Sequence, residues 1–146
     1  MPSDREVFRA VFQGKTSDEL LAEKGRLIDS VMADLTVPEL IEVIGEINRL
    51  NGWREPKRFD WSDPDAIASV LMLIVTEVSE AMEAVRKGDQ ENFTEELADI
   101  VIRVFDAIGG IAEQNPDFAP HDLERTILRK LITNIHRGYK HGGKLL

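Results

Sequence analysis

The chain has no cysteine, so disulfides and thiolate metal sites are excluded. That fits a reducing compartment, and a cytoplasmic location is the expectation. Long apolar runs are also missing. The longest, Val70 to Val75, is far too short to span a bilayer, so no membrane association is expected. Met1 to Ala10 alternates charges and has no apolar run, so it does not read as a signal peptide. Positive charge is scarce: 18 Lys and Arg against 27 Asp and Glu give a net charge of −9. This argues against general nucleic-acid binding, though not against a nucleotide whose phosphates reach the protein through a bound cation. Strand-type alternation and fixed-period repeats are absent too.

What is present is helical periodicity. At 146 residues the chain is expected to form one globular unit with a substantial core. Gly14 closes a short first segment, and Thr16-Ser17-Asp18-Glu19 starts a helix that runs to about Leu35. Residues 1–36 are read as an N-terminal helical extension and 37–146 as the main domain with a basic tail. Thr36-Val37-Pro38 starts the next helix, which Asn51-Gly52 ends. The loop from Gly52 to Asp65 holds both Trp residues. Ser62 or Asp63 then caps a helix that Gly88 closes. Asn92, with Glu95 three residues later, reads as the capping-box start of a further helix ending near Gln114. A last helix begins between Pro120 and Asp122. The expected fold is all-α, a bundle of four to five main helices.

The chemistry concentrates between Val70 and Asp106. Glu77 and Glu80 lie one turn apart on one helix, and Glu96 and Asp99 one turn apart on the next. At 100° per residue, Glu77 falls within the stripe of Val70, Leu73, Ile74, Ala81 and Ala84, and Glu80 at its edge. Glu96 borders the arc of Phe93, Leu97, Ile100, Val104, Ala107 and Ile111, with Asp99 a step further out. Acidic faces are usually solvated and lie opposite the apolar stripe, whereas these acids do not. An unpaired buried carboxylate costs several kcal/mol, against a net stability of roughly 5–15 kcal/mol. Arg103 is the one obvious internal cation, so the cluster must take up protons or bind metal. Oxygen donors without His or Cys suit Mg²⁺, or Mn²⁺, better than Zn²⁺. His121, His136 and His141 have no metal spacing with the acids.

The ordered set Glu77-x-x-Glu80 and Glu96-x-x-Asp99, the words TEVSEAMEA and ELADIVIRVFD, and the ending Asn134-x-x-Arg137-x-x-Lys140-His141-Gly142-Gly143-Lys144 resemble the MazG-like all-α nucleoside triphosphate pyrophosphohydrolases. The resemblance covers roughly Val37 to Lys144. It implies cleavage of a nucleoside triphosphate between the α and β phosphates, giving the monophosphate and pyrophosphate. It further implies Mg²⁺ held by Glu77, Glu80, Glu96 and Asp99, and assembly as a homodimer or homotetramer. Many members carry a Glu just before the first motif residue, near the attacking water, where this chain has Thr76. Activation of the water then falls to the cation or to a motif carboxylate. Candidate phosphate contacts are Arg103, Asn134, Arg137, Lys140 and Lys144, and Gly142-Gly143 allows close backbone approach. Trp53 and Trp61 are candidate base-stacking residues, although such aromatics more often serve as packing anchors. Two other functions fit the same residues. One is hydrolysis of phosphoribosyl-ATP, which similar helical folds perform. The other is a non-catalytic interaction protein whose acids meet a basic partner.

Overall fold

The computed structural model describes residues 36–118 and 122–136. The helices expected before Thr36, and the basic tail from Arg137 to Lys144, lie outside the described residues. The chain divides into two compact units, Met1–Leu40 and Ile41–Leu146. Four helices are described, with no strand among the described residues: α1 (Val37–Leu50), α2 (Pro64–Lys87), α3 (Gln90–Gln114) and α4 (Asp122–His136). The fold is all-α. No helix among the described residues is long and apolar enough to cross a membrane.

In the first unit, the described residues form the opening turn of α1. Both the backbone N–H and the hydroxyl of Thr36 donate to Glu39, at 2.8 and 2.6 Å. The carboxylate three residues on thus satisfies the backbone donor just ahead of the helix.

In the second unit, the hairpin of α2 and α3 is the frame. Asp63 caps α2 by accepting from the N–H groups of Asp65 and Ala66, with Pro64 in the first helical position, where its missing N–H costs nothing. Gly88 ends α2 in the left-handed region, at φ 70°. Asp89 follows at once and caps α3 by accepting from the N–H of Asn92. The expected capping role of Asn92 is therefore corrected. The tight exit through Gly88 leaves room for only one further residue before α3, and Asn92 already lies within its first turn. This two-residue link folds α3 back along α2. Val70 consequently packs with Ala107 and Ile111, whereas Glu77 meets Arg103.

The core at the far end of the hairpin centres on Phe59, which is fully buried among Val70, Ala107 and Ile111, with Ile67 and Phe118 against it. Phe59 comes from the loop between α1 and α2, and amides at the end of α3 hold that loop down. The Gln114 Oε1 accepts from the Phe59 N–H at 3.2 Å, and the Asn115 Nδ2 donates to the Phe59 carbonyl at 3.1 Å. Gly110 makes the packing possible. A Cβ there would lie 2.4 Å from Phe59 Cγ and 2.5 Å from Arg54 Nη1.

Candidate metal centre

Helix α2 presents Glu77 on its inner face and Glu80 one turn on, and α3 presents Glu96 and Asp99 opposite them. Glu77 is buried at 7% exposure, Glu96 is half-buried, and Glu80 and Asp99 are exposed. One carboxylate oxygen from each of Glu77, Glu96 and Asp99 lies within 4.8 Å of the others. Glu80 stands outside that trio, one turn along α2 from Glu77, and adds its negative charge to the crowding around Glu96. Glu96 holds its proton more tightly than an ordinary glutamate. Partial burial is the main cause, followed by the negative charges of Glu80, Asp99 and Glu77. The donors are oxygens from two rigid helices, crowded enough to favour any species that brings positive charge. That is the donor set of a hard divalent cation.

Arg103 supplies one positive charge. Its Nε donates to Glu77 Oε1 at 2.9 Å, and its guanidinium lies over the ring of Trp53, 5.8 Å from the centroid. Trp53 is therefore beside the acids. Trp61 is not: its backbone N–H donates to Asn115 Oδ1 at the other end of α3, and its ring packs against Phe118. Asn115 is 16 residues beyond Asp99, about 24 Å along the helix. The Thr76 hydroxyl donates to the Met72 carbonyl on the exposed side of α2 and takes no part in the cluster. Asn134 is exposed on α4. Arg137, Lys140 and Lys144 lie outside the described residues.

A second polar group escapes sequence reading. Arg54, in the loop, is buried with its Nη2 3.0 Å from Asp106 Oδ1 and its Nη1 3.5 Å from Glu113 Oε2, and it stacks over Phe59 at 4.9 Å. Arg49 also pairs with Glu113, at 2.8 Å. Asp106 follows Asp99 on α3, but its carboxylate faces Arg54 and serves to hold the loop. Nothing in the sequence distinguishes Arg54 from its neighbours Lys57 and Arg58. Only the packing of the loop buries one of the three.

A model of the MazG nucleotide pyrophosphohydrolase domain matches residues 65–137, half of the chain. The chain belongs to this family. It is a hydrolase acting on nucleotide phosphoanhydride bonds. The matched segment contains both acidic motifs, all of α3 and α4, and nearly all of α2. The loop carrying Trp53 and Arg54 precedes it. No curated protein and no solved structure matches the chain. Hydrolases of the MazG family generally use divalent metals, and the convergence of Glu77, Glu96 and Asp99 offers such an ion its ligands.

Proposed function

We propose that this MazG-family hydrolase is a Mg²⁺-dependent nucleoside triphosphate pyrophosphohydrolase. It converts an NTP or dNTP and water to the monophosphate and pyrophosphate, in the manner of a nucleotide-pool house-cleaning enzyme. The observation that carries this reading is the meeting of Glu77, Glu96 and Asp99 oxygens within 4.8 Å across two helices. Glu80, one turn from Glu77 on α2, is the proposed fourth carboxylate of the ligand set. A bound Mg²⁺ would neutralise the phosphates and ease loss of a proton from the attacking water. The protein's own part is to fix the four carboxylates, to place cations on the phosphates, and to accept a proton. Because Thr76 gives its hydroxyl to the helix backbone, activation of the water falls to the cation or to a motif carboxylate. Arg103, Asn134, Arg137, Lys140 and Lys144 are the proposed phosphate contacts. Trp53, next to Arg103, is better placed than Trp61 to meet the base.

The reading extends to a homodimer or homotetramer. Leu71, Val75, Val78, Met82 and Val85 recur at alternating four- and three-residue steps along α2 and are 45–54% exposed. That is the spacing of a helix seam that packs against another helix.

A panel of NTPs and dNTPs with Mg²⁺, scored for pyrophosphate, tests the reaction. The expected result is Mg²⁺-dependent release that Asp99→Asn and Glu80→Gln abolish with the fold intact. Full turnover in those variants would reject the ligand set.

A further inference from the structure

Two consecutive loop residues dock on two residues of α3 that lie one turn apart. Arg54 is pinned to Asp106, and Trp53 covers Arg103. The Trp53 N–H also donates to the Asn48 carbonyl at 2.8 Å, after the left-handed turn at Gly52. The indole is thus fixed from both sides of the sequence, although Trp53 is 49% exposed. The guanidinium beneath it has its Nε on Glu77, the most buried acid of the cluster. In this state Arg103 occupies an oxygen of the same carboxylate that the proposed cation requires.

We propose that Arg103 is an exchangeable internal counter-ion, and that Trp53 is the positioning residue that holds it. When no metal is bound, the guanidinium neutralises Glu77. A divalent cation among Glu77, Glu96 and Asp99 repels it, since like charges in a partly buried site interact strongly. Arg103, with 27% of its side chain exposed, has a path off Glu77. Released from Glu77 and from the face of Trp53, it stays on α3 beside the cluster, where the next anion to arrive is the substrate's phosphate. Occupation of the metal centre therefore readies the phosphate contact, and the loop outside the matched domain sets how readily that happens. This inference rests on the metal-dependent reading above.

The test uses the full chain carrying Trp61→Phe, which leaves Trp53 as its single tryptophan. Mg²⁺ alone is titrated, with Trp53 emission and the thermal unfolding midpoint followed together. The expected result is a saturable emission change whose midpoint matches the Mg²⁺-dependent stabilisation. Arg103→Met should bind Mg²⁺ about tenfold more tightly, having lost the competing charge, and should show no emission change. If that variant fails to fold, Arg103→Lys replaces it, because a lysine stacks less well and should reduce the signal. With stabilisation as the readout, Trp53→Ala should tighten Mg²⁺ binding by about two- to fivefold, the size of a half-exposed cation–π contact, and Trp53→Phe should restore the original midpoint. Stabilisation by Mg²⁺ with unchanged Trp53 emission would overturn the exchange and leave the metal centre standing. Equal Mg²⁺ affinity in the Arg103 variant would do the same. Absence of any Mg²⁺-dependent stabilisation would reject the metal reading and this inference together.

Discussion

Among single residues, Glu96 is the most informative. Folding raises its proton affinity above that of an ordinary glutamate, whose pKa is 4.5. A group with a raised folded value contributes stability that is complete below the unfolded value and lost as pH rises through the folded one. The metal-free protein should therefore lose thermal stability as pH climbs from 4.5 through the folded value of Glu96, and Glu96→Gln should flatten that part of the profile. Added Mg²⁺ should oppose the loss by taking the proton's place. Asp60 works with the opposite sign. The hydroxyl and the N–H of Ser62, with some help from the charge of Lys57, hold its carboxyl below the usual range. Its contribution is present above the unfolded value and disappears in acid. For turnover, replacing a first ligand is expected to cost more than replacing the groups around it, which typically costs about 10–100-fold. Asp99→Asn should thus lower pyrophosphate release by more than about a hundredfold in an initial-rate assay, with circular dichroism unchanged.

At the level of elements, the α2–α3 hairpin acts as a single positioning device. Its two-residue link places Glu77 opposite Arg103, and a longer link would free that register. Removing the Asp89 cap with Asp89→Ala should cost about 1 kcal/mol, read from the denaturant midpoint. The loop from Asn51 to Asp63 is the second device, held to α3 by Arg54, Gln114 and Asn115. Gly110→Ala drives a methyl group into Phe59 and Arg54 and should destabilise the fold by about 1–3 kcal/mol in the same measurement. Arg54→Met strands the Asp106 carboxylate in the core, and about 3–5 kcal/mol is expected for breaking such a buried pair from one side. Helix boundaries were legible because capping residues and glycines act locally. Asn92 misled because a capping box and the first turn of a helix share the same residue types. The choice between them depended on how tightly Gly88 turns the chain.

At the scale of the whole molecule, exposed apolar side chains matter most. Among the described residues, the α2 seam and Leu128, Leu131, Ile132 and Ile135 of α4 present rows of them to solvent. Fully burying one such side chain is worth roughly 1.5–3 kcal/mol, and the proposed assembly would draw on that against the cost of association. Val78→Asp combined with Met82→Asp should shift sedimentation from dimer or tetramer to monomer. A wild-type chain that sediments as a monomer at micromolar concentration would reject the seam as an interface.

The amino-acid sequence by itself determined the all-α class, the order and approximate ends of the described helices, and the ordered acidic motifs that resemble the MazG-like hydrolases. Those properties follow from periodicity and capping, which act over one or two turns of chain. Which carboxylates meet, which of them is pushed toward its protonated form, and which arginine is buried were decided only in the tertiary structure. Glu77 and Arg103 are 26 residues apart, and Arg54 and Asp106 are 52 apart. Their pairing depends on how one helix folds back on another and where a loop settles. Desolvation and charge at such a site arise from neighbours that no local pattern specifies.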